Sequence, residues 1–222
     1  MCHCSCRRIA DALILMAAAP PIMSAPALAP LLGLDSGLSL VLVSLATLLA
    51  PLTVPPTAAW LAGATLDFDL AAFALRIALV IFGSVGAAVA VRSALGEARV
   101  ARAATLIDAA SVIVLLLFAV AIMDGIGPLL WQRPGFVAAV IAGSYVANLA
   151  LQAVGAALFS RLGRNPALTL GFVGGNCNMA VLLAALPPAA DPQILLWFAL
   201  AQFPIFTLPA LLARPYQWLL DR

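Results

Sequence analysis

The chain contains no lysine and one histidine, and only 9% of its 222 residues are charged. Each shortage closes off a class of function. Without lysine, a retinal Schiff base cannot form. The histidine, His3, stands in the opening MCHCSC, so His-rich metal sites and Ser–His proteolysis lack their central residue. GxSxG, HExxH and P-loop patterns are absent, and nothing indicates an enzyme or a cofactor. Eleven arginines against nine acids leave a net charge of +2, too small and too scattered for nucleic acid. Four cysteines, Cys2, Cys4, Cys6 and Cys177, give no disulfide framework, because Cys177 lies deep in an apolar segment. The Cys2/Cys4/Cys6 cluster with His3 has the composition of a soft-metal site or a palmitoylation target, against the simpler reading of an unstructured polar tip.

What fills the chain instead is apolar. Hydrophobic residues make up 65% and mean hydropathy is +1.14. A soluble domain is about one quarter charged. A globule of this size in water would leave a large apolar area uncovered, and a lipid bilayer removes that conflict. No secretory signal is evident, since residues 1–8 are polar and no clean small-residue cleavage site follows.

A membrane-spanning helix takes about 20 apolar residues. Seven runs meet that length: Ile9–Leu32, Leu38–Val54, Leu70–Val91, Ala103–Met123, Pro134–Ser160, Pro166–Leu186 and Gln193–Ala213. Their length, with no strict alternation, predicts helices and not barrel strands. The expected class is an all-α polytopic membrane protein. Arg92, Arg99 and Arg102 share one connection, Arg161 and Arg164 another, and Arg214 and Arg222 end the chain. Each group is two crossings from the next, which reads as one cytoplasmic face. Asp67 and Asp69, Asp124 with Arg133, and Asp191 fall on the other face. Arg7 and Arg8 break the alternation.

Two runs differ from the rest. The first carries Pro20, Pro21, Pro26 and Pro30, each removing a backbone donor and crowding the preceding turn. The sixth places Gly171, Gly174 and Gly175 directly before Asn176 and Asn178. Both are expected to break, over Pro20–Pro26 and Gly171–Asn178, and to meet inside the bundle. Paired interrupted helices in two halves point to a transporter site; the blander alternative is kinks and glycine-mediated packing. Asn176 and Asn178 are the leading polar candidates at membrane depth, with Gly174 and Gly175 offering unwound backbone. Ser24, Ser39, Ser44 and Thr47 could add oxygens or bond back to their own helices. Gln202 and Asn148 read as interhelical glue, and Arg76 and Asp108 as residues reaching the interface from near helix ends. Half-helix N-termini at the crossing would favour an anion.

These residues resemble the bile acid:sodium symporter family, which includes bacterial members and related arsenite exporters. Over Pro20–Pro55 the match rests on Asp35, Ser39 and the TLLAP of Thr47–Pro51. It continues in the GNCNMAVLL of Gly175–Leu183, with Asn178 on the family's asparagine, and in the QFPIF and LPAL of the last run. The resemblance implies ten helices in two inverted five-helix repeats, the fourth and ninth broken. Residues 9–54 would be the last two helices of the first repeat, 70–213 the five-helix second repeat, 1–8 a polar tip and 214–222 a cytoplasmic tail. Three N-terminal helices would then be missing, which accounts for Arg7 and Arg8.

The family's sodium ligands fall on Ala25, Pro26, Val173 and Cys177, leaving Ser39 and Asn178 as plausible side-chain ligands, so sodium coupling is not carried over. The implied function is secondary transport of a small organic, anionic solute across the inner (plasma) membrane. The alternatives are a non-transporting membrane fragment and an arsenite-type exporter using Cys177. The partners implied are the bilayer, the solute, and a second copy or further N-terminal helices.

Overall fold

The computed structural model describes residues 12–62, 69–122, 126–186 and 192–221. The MCHCSC cluster, Arg7, Arg8, Asp67, Asp124, Asp191 and Arg222 lie outside the described residues. Among the described residues 89% are helical and none lies in a strand, so the breaks between helices are the only irregular structure to explain.

The helices in chain order are α1 (12–18), α2 (Ala25–Leu28), α3 (Ser36–Ala62), α4 (Leu70–Leu95), α5 (Glu97–Arg102) and α6 (Ala104–Ile122). After them come α7 (Ile126–Gln132), α8 (Pro134–Leu158), α9 (Arg164–Gly175), α10 (Met179–Ala185), α11 (Pro192–Leu200) and α12 (Gln202–Asp221). Short 3-10 turns at Ala29–Leu32 and Ser160–Leu162 extend α2 and α8. Four stretches among the described residues are long and apolar enough to cross a membrane: Ser36–Trp60, Leu70–Leu95, Pro134–Leu158 and Ile194–Asp221.

Local chemistry sets the boundaries. Asp35 caps α3, its Oδ1 accepting from Leu38 N at 2.9 Å. Asp69 caps α4, accepting from Ala71 N at 2.8 Å and Ala72 N at 3.3 Å. The kink between α11 and α12 at Ala201 follows from Pro204, whose ring crowds the carbonyl four residues back, at Leu200. The apolar run around α3 was expected to stop near Val54, but α3 continues to Ala62 with Pro51, Pro55 and Pro56 inside it. Thr53 and Thr57 hydroxyls bond back to Leu49 O at 3.1 Å and Thr53 O at 2.6 Å within this stretch. At the other end α12 runs through Arg214 to Asp221, past the expected end at Ala213. Its last turns are held by packing: Tyr216 is buried, and Leu220 lies against Gly33, whose φ of 74° suits a glycine. Two expected connections contain short helices, α5 and α7.

The interior forms two apolar clusters. The larger joins α1 (Leu15, Met16), the second half of α3 (Ala50, Val54, Ala58), the first half of α4 (Phe73, Ile77, Ile81), α10 (Met179, Leu182) and α11 (Trp197, Phe198). The contact between the second half of α3 and the first half of α4 makes those two an antiparallel hairpin. The smaller cluster joins α2 and its 3-10 turn (Ala25, Ala29, Leu32), Leu34, Val43 of α3, Phe172 and Val173 of α9, and Tyr216 of α12. Each cluster therefore takes one half of each interrupted segment: α1 with α10, and α2 with α9. Outside this interior the surface is apolar, with Leu75, Leu79, Phe82 and Val89 of α4 and Leu106, Val114 and Leu117 of α6 exposed. In water that surface would be an aggregation liability.

Candidate functional site at the crossing of two broken helices

The break in the first segment spans Ala19–Ser24, and that in the second spans Asn176–Asn178. Both are narrower than the sequence suggests, because Ala25–Leu28 and Gly171–Gly175 are helical. Each break frees backbone groups that cost several kcal/mol apiece if left unpaired away from water. The structure pairs them with one another. Ile22 N donates to Asn176 O at 2.7 Å, and Asn178 N donates to Pro20 O at 2.6 Å. These two bonds make an antiparallel bridge between Pro21 and Cys177. The bonds flank the bridged residues and do not connect them, so Pro21 occupies a non-hydrogen-bonded position, where its missing N–H costs nothing. Proline at 20 and 21 thus ends α1 and still permits the pairing.

Around this bridge the expected residues take different parts. Asn176 is fully buried, its Nδ2 donates to Phe172 O at 2.7 Å, and its Oδ1 has no partner among the described residues. Asn178 caps α10, its Oδ1 accepting from Val181 N at 3.3 Å. Ser24 begins α2, and its buried Oγ also has no partner among the described residues. Gly174 is exposed, and a Cβ there would meet nothing within 4 Å. Gly175 does a different job. A Cβ there would run into the Gln152 side chain and stand 2.9 Å from Gln152 N and 3.0 Å from Asn148 O, so this glycine lets α9 approach α8.

Ser39 is buried on α3 with an unpartnered Oγ among the described residues, but α3 meets the first break at Thr47, whose Oγ1 is 3.6 Å from Met23 Sδ. Eight residues of helical rise put Ser39 about 12 Å along the helix from that contact. The structure therefore brings Ser24, Gly174, Gly175, Asn176 and Asn178 to the crossing and sets Ser39 two turns away.

The half-helix N-termini do start at the crossing, but α2 has four residues and α10 seven. Neither carries the aligned dipole of a long helix. No carboxylate, guanidinium or imidazole stands within Ala19–Ser24 or Asn176–Asn178. Cys177 is the ionisable residue of the crossing; its buried thiol donates to Gly174 O at 3.5 Å. No group of three or more His, Cys, Asp or Glu suited to a metal occurs among the described residues.

Sequence reasoning named Asn148 as interhelical glue but missed its partners in the polar interior of α8, Gln152 and Tyr216. Tyr216 OH donates to Gln152 Oε1 at 2.7 Å, and Gln152 Nε2 donates to Asn148 Oδ1 at 2.6 Å, all buried. The i, i+4 spacing of Asn148 and Gln152 on one helix face was the available signal; the Tyr216 partner, 64 residues further on, left none. Thr169 was missed as well. Its Oγ1 accepts from Asp35 N at 3.3 Å, and with Asn165 Nδ2 donating to Gly33 O at 3.0 Å it fastens the turn before α3 to α9. No protein-family model and no curated protein matches the chain.

Proposed function

We propose that the chain is a multi-pass protein of the cell's inner (plasma) membrane and a secondary transporter of a small organic anion, which binds where the two broken helices cross. The observation that carries this reading is the bridge between Pro21 and Cys177, with one half of each broken segment packed to either side. Broken helices whose irregular backbone faces inward suit a solute path, since unpaired backbone is tolerated in a membrane only within protein or beside a polar cavity. The seven-span topology and the inverted-repeat relation to the bile acid:sodium symporter family are part of the proposal. The crossing holds neither acidic nor basic side chains, so the anionic character of the solute is part of the proposal and rests on the resemblance. The lack of a carboxylate there argues against sodium as the coupling ion, and Cys177, buried and the one cysteine among the described residues, is a poor host for arsenite.

Proteoliposomes loaded with a mixture of small organic anions should release at least one of them saturably. Asn176→Leu should slow that release about tenfold, as expected for losing a buried polar contact. Release of every anion at the rate of protein-free liposomes contradicts the proposal. The topology has its own test. Single-cysteine variants at Ala98 and Gly163, between arginines of two different connections, should react with impermeant maleimide only from the cytoplasmic side. Labelling of either from outside intact cells reverses the orientation.

A further inference from the structure

We infer that the cleft between the start of α9 and the end of α12 seats the headgroup of a membrane phospholipid that carries both a phosphate and a primary amine. The cleft is lined by Gly33, Arg164, Asn165, Gln217, Leu220 and Asp221. Its volume is about 650 Å³, within the roughly 300–1,000 Å³ of ligand pockets. Arg164 opens α9 and Gly175 closes it, about 16 Å of helical rise apart, so the cleft is distinct from the helix crossing. This seat depends on the chain lying in a bilayer and not on solute binding at the crossing.

The floor of the cleft is preset. Asn165 Nδ2 donates to Gly33 O at 3.0 Å, and the Leu220 side chain lies against Gly33, 3.0 Å from where a Cβ would stand. The turn at Gly33 thus ties the start of α9 to the end of α12. Arg164 and Asp221 share this cleft without meeting, since the one ion pair among the described residues joins Arg92 to Glu97. Neither has another partner among the described residues.

These charges choose the occupant. An anion alone would meet Arg164 and be repelled by Asp221, and a cation alone would meet the reverse. A ligand with one charge of each sign suits both. The planar guanidinium of Arg164 matches a phosphate, which it can bind through two parallel hydrogen bonds. Asp221 only accepts, so its partner must donate, as a primary ammonium does and a quaternary one does not. Quaternary ammonium groups are held by aromatic cages instead, and none of the six lining residues is aromatic.

The outer face of α12 supplies the place for acyl chains. Phe206, Ala210, Gln217 and Asp221 stand at i, i+4, i+11 and i+15, on one helix face, and all four are exposed. From Gln217 to Phe206 is about 16 Å of helical rise, close to one leaflet's half of the about 30 Å hydrocarbon core. A headgroup in the cleft therefore lays its chains along Ala210 and Phe206, whereas a soluble zwitterion would leave that stripe unused.

Native mass spectrometry of the detergent-purified chain tests this with an equimolar mixture of phosphatidylethanolamine, phosphatidylcholine and phosphatidylglycerol. One phosphatidylethanolamine should be retained at least about fivefold over either of the others, the scale of a charge-assisted hydrogen bond at a part-exposed site. Two variants carry opposite signs. Arg164→Gln should lower retention of both phosphatidylethanolamine and phosphatidylglycerol about fivefold. Asp221→Asn should lower phosphatidylethanolamine and raise phosphatidylglycerol, because the carboxylate that repels an anion is gone. Both residues are exposed, so neither change should cost the fold. Arg161→Gln, in the same connection but outside the cleft lining, should change nothing. Equal retention of the three lipids overturns the inference, and so does an equal loss in Arg161→Gln and Arg164→Gln. Glycerophosphoethanolamine, the headgroup without chains, should not release the lipid at equal concentration; release would overturn a lipid as the occupant. Transport in proteoliposomes is a separate readout and can fail with these results intact.

Discussion

Replacing Gly171 with leucine should abolish the folded protein, and even Gly171→Ala should destabilise it by about 1–3 kcal/mol, the usual penalty of overpacking. A Cβ on Gly171 would run into Gln152 O and stand 2.8 Å from Ala156 N and 2.9 Å from Ala156 Cβ. Two of these are backbone atoms of α8 and cannot rotate away. The opposing glycine is as tight, since a Cβ on Gly155 would lie 2.9 Å from Gly171 Cα. With Gly175 one turn further on, Gly171 forms a small-residue seam that lets two helix backbones touch. Gly174→Ala is the matched control. It adds the same methyl three residues away where nothing lies within 4 Å, so it should be neutral or stabilise by up to about 1 kcal/mol through helix propensity. Unfolding temperature and monodispersity in detergent read both effects. Equal unfolding temperatures for Gly171→Ala and Gly174→Ala would contradict this packing.

The contrast among these glycines marks how far the sequence could be read. That this apolar run would break near its asparagines was legible in the local residues, but the break is confined to Asn176–Asn178, and Gly171 and Gly175 serve the helix packing that was the blander alternative. Which glycine packs and which lies open was not legible. Successive residues turn by about 100° around a helix, so the answer depends on how α9 is rotated against α8. The proline break was legible for the same local reason. Its narrowness was not, because Pro26 sits in the first turn of α2, where a missing N–H is tolerated.

Prolines misled the reading of α3, since Pro51, Pro55 and Pro56 remain inside one helix held by its contact with α4. Arginine misled the reading of α12. Arg214 closes the apolar run Gln193–Ala213 in the sequence, yet Tyr216 beyond it reaches back to Gln152 and packs edge-on to Phe172 at 6.4 Å between ring centres. Links of that kind join residues far apart in the chain and leave no periodic trace.

The central claim is that the two interrupted helices meet at Pro21 and Cys177, and a disulfide tests it most directly. Non-hydrogen-bonded antiparallel pairs hold their Cα atoms about 4.5 Å apart, within the roughly 4.4–6.8 Å that a disulfide spans. The native Cys177 supplies one thiol, and Pro21→Cys supplies the other in a background carrying Cys2→Ser, Cys4→Ser and Cys6→Ser. Mild oxidation of the folded protein, followed by proteolysis and mass spectrometry without reduction, should recover the peptide around position 21 joined to the peptide around Cys177 in most molecules. Recovery of both thiols free, from protein that remains folded and monodisperse after oxidation, would contradict the crossing and the transport site proposed there.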